Sequence, residues 1–459
     1  MKHSMKFLAG GMAVLASVAL TAPSFADPER TYSAVGSDTI QDVWNGLSNG
    51  YTIGSTTTPA VAGSIASWNA TSNGLAYQAI QTKQGGPWIC RPNGSGDGAT
   101  VLSQTYNPGD NASTAWSPAG VSASPATCQT AHLNGSNAVD FARSSSGPSA
   151  GTGLTYVAFA RDAVSVAYNT DTNTADGASA GLPAGLNLST TDLQVLYSGK
   201  IPSGYTGPVN ITDPNYTPAT AGDYSADTDA INTPNTGAGT GLQVTISGVP
   251  VIPELPQGAS GTRKFFISSA LGLSNTVGGN AKFVYDPATN GLPENNATDG
   301  RLTGTSTVTG QPAVPGALIP FSAAQWLSQL NGAAPNTLGA NVQIASLNGS
   351  AAVDTTTTPA SQGALFGTKN SISGKYTDTP GSGTGVFERD TYDVVPTTFL
   401  GGSATAGQST LSSILTGSAA GQLGSGAART VIQTYGFGYL SYLGNSSNAA
   451  AEIAGAWKG

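Results

Sequence analysis

The sequence predicts a protein of the α/β class, because segments typical of strands alternate along it with segments typical of helices. Residues 31–35 indicate a short strand. The helix after it carries apolar side chains three and four positions apart: Ile40, Val43, Trp44 and Leu47. Residues 244–252 indicate another strand, and residues 266–271 a helix that follows a glycine-rich turn. In folds of this kind, ligands collect at the strand ends.

The first 26 residues have the pattern of a secretory signal peptide. Lys2 and Lys6 precede an apolar run over residues 7–20, and the small-x-small sequence Ser24-Phe25-Ala26 follows. The apolar run is too short for a comfortable membrane span, and no later stretch is long enough. We therefore expect cleavage before Asp27 and a soluble chain without a transmembrane segment, secreted to the periplasm or outside the cell.

The charge balance argues against two classes of partner. The formal net charge is −8, and removing Lys2 and Lys6 with the signal peptide makes it about −10. Nucleic acids and anionic membranes both require a basic surface, which this composition does not offer. Charged residues make up only 9% of the chain, which contains 61 glycines and 27 prolines, so loops should be extensive. A chain of 459 residues is also long enough for two lobes or domains.

The chain has two cysteines, Cys90 and Cys128. An even pair in an exported protein favours a disulfide. This disulfide would close a loop of about 38 residues and stabilise the fold by about 3–4 kcal/mol. Two buried free thiols are the alternative.

Small polar residues follow several of the predicted strands. Ser37, Asp38 and Thr39 begin the first helix, with Asp38 as its expected N-cap. A glycine-rich turn covers residues 94–98 and includes Ser95. A strand over residues 138–142 leads into Arg143, Ser144 and Ser145, a loop whose guanidinium and hydroxyl groups suit an oxyanion.

The middle and end of the chain predict further elements. Residues 156–159 and 163–168 indicate two strands, the second apolar enough for a buried parallel strand. Ser189 should cap a short helix, and residues 428–434 and 448–457 indicate the last two helices. Three polar stretches without periodicity, residues 202–241, 286–315 and 354–385, indicate long loop excursions.

The turn before the helix at residues 266–271 has two interpretations. Ser260, Gly261 and Thr262 could present hydroxyl and backbone N–H groups to an oxyanion at a helix N-terminus, with Arg263 adding a guanidinium. The same residues could form an ordinary helix cap followed by a solvated arginine. The turn alone favours neither.

Together these turns resemble the phosphate-type solute-binding proteins of ABC transporters. That family has the two-lobed type II periplasmic-binding-protein fold, also called the Venus-flytrap fold. The matching segments follow the family's order: GSDT (36–39), GSGDG (94–98), VDFARSS (139–145), FARDAV (159–164), LQVLYSG (193–199), SGTR (260–263), RDTYDVVP (389–396) and YGF (435–437).

The resemblance implies a first lobe over residues 27–166, a second over 167–386 with the polar insertions, and a return to the first over 387–459. It also implies a ligand held between the lobes, by Thr39, Ser95 and residues 143–145 on one side and by residues 260–262 on the other. Two positions depart from the family. Ser145 stands where an Asp is usual, and Pro256 stands where an Arg is frequent.

We therefore expect a monomeric binding protein for phosphate or a similar oxyanion, with an ABC permease as a possible partner and no enzymatic activity. A secreted hydrolase and a surface adhesive module are the alternatives. His132 is the only histidine after the signal peptide and lies in a polar loop, so a Ser-His-Asp site has little support. Since no residues have the spacing of zinc ligands, we expect neither a metal nor a cofactor.

Overall fold

The computed structural model describes residues 29–72, 75–76, 78–109, 133–170, 181–198, 209–210, 244–253, 255–273, 317–339, 341–380, 385–443, 445 and 447–458. The predicted signal peptide, Cys128 and His132 lie outside these ranges. So do residues 286–315 and most of residues 202–241.

The helices of the described residues are α1 (Gln41–Asn49), α2 (Ser95–Tyr106), α3 (Thr190–Ser198), α4 (Gly261–Lys264), α5 (Ala323–Leu330), α6 (Ala406–Thr416) and α7 (Gly426–Thr434). A π-helical segment, Phe265–Ala270, continues α4. Single 3-10 turns occupy Ala364–Phe366 and Thr397–Leu400.

Within the described ranges, nine strands form one sheet: β1 (Tyr32–Gly36), β2 (Ile65–Ser67), β3 (Phe141–Ser144), β4 (Gly153–Asn169), β5 (Ile252–Pro253), β6 (Ala317–Ser322), β7 (Val342–Ile344), β8 (Glu388–Pro396) and β9 (Glu452–Ala456). The remaining strands form small separate sheets: Tyr51–Ile53 with Thr56–Thr58, Thr71–Ser72 with Leu75–Ala76, Ala79–Ile80 with Ile89–Cys90, Asn187–Leu188 with Ser346–Leu347, Val353–Asp354 with Ser361–Gln362, and Val209–Asn210 with Val244–Ile246 and Val249–Pro250.

The main sheet has the strand order β5-β6-β4-β8-β3-β1-β2, and β7 and β9 also pair with β4. The pairs β1–β2, β1–β3 and β5–β6 are parallel, whereas β4 is antiparallel to β6, β7, β8 and β9. Strands and helices together confirm the predicted mixed α/β class.

Strand β4 differs from the prediction in two ways. It is one strand of 17 residues instead of two, and it is antiparallel to its neighbours, so the predicted parallel strand is wrong. Arg161 and Asp162 do not interrupt it, because each has an oppositely charged partner on β8. β8 pairs with β4 as far as Ala163, and β6 pairs with it from Val164. The predicted lobe boundary, between residues 166 and 167, follows this change of partner by three residues and stays a prediction.

Two predicted helix features are wrong. Residues 448–457 contain strand β9 instead of a helix, because they pair with residues 153–157 of β4 and this tertiary pairing overrides local preference. The N-cap of α1 is Ile40, and no side chain caps it, so Asp38 does not have the predicted capping role. The Ser189 cap of α3 is confirmed, since Asp192 N donates to Ser189 Oγ at 3.1 Å.

Helix α1 packs on the main sheet and so holds the turn of residues 37–39 in place at the end of β1. Val43, Trp44 and Leu47 are buried, and the Trp44 ring lies 5.1 Å from Phe141 and 5.7 Å from Phe159 between centroids. A smaller cluster of buried apolar side chains surrounds β6 and α5: Ala167, Ile319, Phe321, Trp326 and Val342. No helix of the described residues is both long and apolar enough to cross a bilayer.

Candidate functional site

Three polar turns meet at one edge of the main sheet. Strands β1 and β3 are parallel neighbours, so their carboxyl ends lie at the same edge. Gly36 at the end of β1 also forms a bridge with Asn93, which brings the first turn of α2 to this edge. Gly36 has a φ of +115°, a conformation open to glycine and unfavourable for other residues. The side chains of Thr39, Ser95 and Ser145 are thereby collected in one place.

The segment before α4 lies directly against these turns. Gly96 N donates to Ala259 O at 2.9 Å, and Gln257 Nε2 donates to Asn93 O at 2.8 Å. Ser260 caps α4, since its Oγ accepts from Arg263 N at 2.9 Å. The predicted Ser260 cap is thus present, but Arg263 is buried and not solvated as that interpretation expected, and Gly261 and Thr262 contact the other turns.

Four hydroxyl side chains, which we call the hydroxyl cluster, come into contact here: Thr39, Ser95, Ser145 and Thr262. The Oγ1 atoms of Thr39 and Thr262 are 3.2 Å apart, and so are the Oγ atoms of Ser95 and Ser145. Ser145 N also donates to Ser95 Oγ at 2.9 Å. Gly261 lies between the two serines, and a Cβ at this position would overlap both hydroxyls. All four side chains are buried.

Arg389 on β8 joins the two sides of the cluster, and it was not among the predicted site residues. Its Nη2 donates to Thr262 Oγ1 at 2.9 Å, and its Nη1 donates to Ser145 O at 2.8 Å. The guanidinium is buried and lies 5.5 Å from the centre of the Phe265 ring. A cation therefore contacts the hydroxyl cluster on two sides: at Ser145 in the turn after β3, and at Thr262 in α4.

Asp162 on β4 holds Arg389 in this position. Its Oδ2 accepts from Arg389 Nε at 3.0 Å and from Nη2 at 2.7 Å. Its Oδ1 accepts from Ser322 Oγ at 2.9 Å and from Ala324 N at 3.1 Å. Because both charges are buried, removing either partner alone would be strongly destabilising.

The sequence contained a signal for this ion pair. Arg-Asp occurs at residues 161–162 and again at 389–390, in a chain where charged residues are scarce. The antiparallel register of β4 and β8 places Arg161 opposite Asp390, and Asp162 opposite Arg389. Arg161 Nε donates to Asp390 Oδ1 at 2.8 Å, so each dipeptide neutralises the other. Two such dipeptides could have indicated that the segments pair, but the strand register could not be deduced from sequence.

The predicted arginines, Arg143 and Arg263, have other partners. Arg143 is buried below the turns, where it donates to oxygens that belong mostly to the backbone of β1 and β2 and the loops after them: Ala34 O, Ser37 O, Ser67 Oγ and Trp68 O. Arg263 Nη1 donates to Pro256 O at 3.2 Å. The positive charge in contact with the hydroxyl cluster is thus supplied by Arg389.

The other predicted residues border the cluster. Ser144 Oγ donates to Ser146 O at 2.8 Å, within its own turn. Ser37 is fully buried, and its Oγ has no hydrogen-bond partner among the described residues. Asp38 lies near Asp42. Burial, and then the charge of Asp38, raises the pKa of Asp42 to about 6.

Two lysines lie close to the segment that carries Thr262. Lys264 Nζ donates to Gly147 O at 3.4 Å. Lys458, whose N–H donates to Ser103 Oγ on α2, lies near both Lys264 and Asp97. Burial, and then repulsion by Lys264, lowers the pKa of Lys458 to about 8.

The donor set suits anion chemistry. The described residues include no group of three or more His, Cys, Asp and Glu side chains that could hold a metal ion. Hydroxyls and a guanidinium supply hydrogen bonds to negatively charged oxygens, and such bonds to an ionised group are short and strong. The arrangement is therefore chemically suited to a small oxyanion.

No protein-family model matches this chain, and no curated protein matches its sequence. Solved structures similar to it include a putative phosphate ABC transporter substrate-binding protein with bound phosphate from Clostridium perfringens, 10% identical, over 89% of this chain and 99% of that one, at a TM-score of 0.38. A phosphate-binding protein from Stenotrophomonas maltophilia is 13% identical, over 92% and 96%, at 0.40. An ABC-type phosphate transport receptor from Vibrio cholerae is 11% identical, over 89% and 99%, at 0.35. At these identities and scores, the likeness by itself assigns no function to this chain.

Proposed function

We propose that this chain is a secreted oxyanion-binding protein that captures phosphate or a similar tetrahedral anion at the hydroxyl cluster. One observation carries the proposal: four buried hydroxyls from four separate turns converge with one buried guanidinium. A buried set of this kind is well suited to an anion, because each donor is already oriented and shielded from water.

The anion would enter between two groups of turns that now contact each other. Thr39, Ser95 and Ser145 belong to the proposed first lobe, and Gly261 and Thr262 to the second. Direct contacts such as that of Thr39 with Thr262, at 3.2 Å, must give way to contacts with ligand oxygens. The two groups of turns must therefore separate for the ligand to enter and close again around it.

Binding is better supported than hydrolysis. Hydrolysis by a serine or threonine requires a base that can take the proton of the nucleophile. The contacts of the hydroxyl cluster include other hydroxyls, a backbone N–H and the cation Arg389, and the carboxylate of Asp162 already accepts four hydrogen bonds, so it is poorly suited to take a proton. Release of the captured anion to an ABC permease, by a monomeric protein, is the role that the sequence resemblance suggests.

A calorimetric titration of the chain from Asp27 with inorganic phosphate tests the proposal. We expect saturable binding, and compaction by small-angle X-ray scattering at saturating phosphate. We expect no turnover of p-nitrophenyl phosphate. Absence of both binding heat and thermal stabilisation with phosphate, arsenate and sulfate would refute the proposal.

Helix α2 provides a matched pair of variants for the same titration. Ser95→Ala removes a hydroxyl of the cluster, and we expect roughly 10-fold weaker phosphate binding. Ser103→Ala removes a buried hydroxyl of the same helix that accepts from Lys458 N, and the affinity should change little. Equal losses in the two variants would indicate that α2 matters only through general stability.

A further inference from the structure

Whether a buried site takes a protonated or a fully ionised oxyanion depends on its available acceptors. Each hydroxyl of a protonated ligand must donate to a protein oxygen, because a buried donor without an acceptor is costly. A fully ionised tetrahedral anion such as sulfate has no proton to donate and requires only donors. The acceptors around the hydroxyl cluster therefore determine which anions fit.

The backbone carbonyls that border the hydroxyl cluster already accept hydrogen bonds. The donors come from neighbouring elements and from the guanidinium itself: Ser145 O accepts from Arg389 Nη1, Ala259 O from Gly96 N, Thr39 O from Gln325 Nε2, and Ser37 O from Arg143 Nε. A ligand hydroxyl would have to share one of these carbonyls with its present donor.

Asp162 offers no acceptor either, although it is the carboxylate linked most directly to the cluster. An ionised carboxylate has about four lone-pair positions. Asp162 accepts four hydrogen bonds, two from Arg389, one from Ser322 and one from Ala324, at 2.7 to 3.1 Å. The guanidinium of Arg389 also neutralises the negative charge of Asp162, so this carboxylate adds little repulsion toward an anion at the cluster.

Asp97 at the start of α2 is similarly engaged. Its Oδ2 accepts from Asn93 N at 3.2 Å, and its charge acts on Lys458. Lys264 and Lys458 are two positive charges near Asp97, whereas Asp38 and Asp42 are two acids beside the turn that carries Thr39. The ion pair of Arg389 with Asp162 is neutral as a unit, so this pair does not repel the second negative charge of a fully ionised ligand.

We propose that this site selects fully ionised tetrahedral oxyanions, and that it binds sulfate at least as tightly as phosphate. This proposal rests on the proposed function and narrows its ligand class. The four hydroxyls and the guanidinium donate to the anion, and the nearby carboxylates of Asp162 and Asp97 already accept hydrogen bonds from protein groups. Phosphate binds mainly as its more ionised form.

The test is a competition titration of sulfate against phosphate in three proteins: the wild type, Ser145→Asp and Ser145→Asn. The Asp variant places a carboxylate at the cluster, where it can accept from a protonated ligand and repel an ionised one. The Asn variant has the same size without the charge. Circular dichroism and the melting temperature first establish that each variant folds.

We expect the wild type to bind sulfate as well as phosphate or better, and its phosphate affinity to increase from mildly acidic to neutral pH as the ligand loses a proton. Ser145→Asp should lower sulfate affinity at least 100-fold more than phosphate affinity, and Ser145→Asn should lower both alike. If neither Ser145 variant folds, Ser149→Asp, at an exposed position outside the cluster, tests net charge alone and should weaken both anions equally.

A wild type that binds phosphate more than 100-fold tighter than sulfate would overturn this proposal and leave the proposed function standing. A phosphate preference that disappears in Asp38→Asn would also overturn it and would assign the acceptor to Asp38. Binding of neither anion would refute the proposed function itself.

Discussion

Replacing Thr262 by valine is a stringent test of the hydroxyl cluster. The substitution keeps the shape of the side chain and removes one oxygen, so it leaves no cavity. Thr262 is fully buried, and its Oγ1 accepts from Arg389 Nη2 at 2.9 Å and contacts Thr39 Oγ1 at 3.2 Å. If this hydroxyl donates to the bound anion, its loss removes a hydrogen bond to a charged group, worth about 1.5–3 kcal/mol. Phosphate affinity should then fall roughly 10- to 150-fold.

A second pair of threonines, of which Thr155 is buried and Thr397 is exposed, provides the control. The Oγ1 atoms of Thr155 and Thr397 are 3.0 Å apart, close to the 3.2 Å of Thr39 and Thr262. Thr155 lies near the start of β4, far along the strand from Asp162. Thr155→Val should lower the free energy of unfolding by about as much as Thr262→Val, about 1 kcal/mol, and leave phosphate affinity unchanged.

Calorimetric titration gives the affinities, and urea denaturation gives the free energies of unfolding. An affinity loss of the same size in both variants would show that Thr262 acts through stability alone. An unchanged affinity in Thr262→Val would remove this hydroxyl from the ligand-binding set.

Three further predictions follow from single positions. Gly261→Ala should abolish measurable phosphate binding, because the added Cβ would overlap two serine hydroxyls. Gly258→Ala, where nothing lies within 4 Å of the added Cβ, should bind phosphate normally in the same titration. Normal binding by both variants would contradict the close approach of Gly261 to the two serines. Burial raises the pKa of Asp42 to about 6, so the folded protein favours its neutral form. The free energy of unfolding is therefore undiminished below about pH 4, and it decreases as pH rises through 6 and the buried carboxyl ionises. Asp42→Asn should therefore be more stable than the wild type at neutral pH, by up to about 3 kcal/mol, and equally stable near pH 4 by urea denaturation, and a difference independent of pH would refute this. Cys90 and Cys128 should be resistant to alkylation in the native, unreduced protein, and two alkylated thiols by mass spectrometry would contradict a disulfide.

Two of the wrong predictions share a physical cause. Residues 448–457 have no strong strand pattern, yet residues 452–456 form β9 because β4 offers an unpaired edge over residues 153–157. Residues 153–169 contain Arg161 and Asp162, which the sequence alone suggested as a break between two strands. The break is absent because β8 supplies opposite charges at the matching register positions. Both outcomes depend on partners more than 200 residues away along the chain.

The sequence by itself determined the α/β class, helix α1 with its apolar face, the Ser189 cap, and the turns that contain Thr39, Ser95, Ser145 and Thr262. These features depend on the spacing of apolar residues and on local chain geometry, which are visible in neighbouring residues. Only the tertiary structure decided that these four hydroxyls meet, that Arg389 instead of Arg143 or Arg263 contacts them, and that Asp162 holds Arg389 in place. Those relations depend on strand order and register, which bring together segments that are far apart in the chain. The pattern of neighbouring residues does not specify which distant segments will meet.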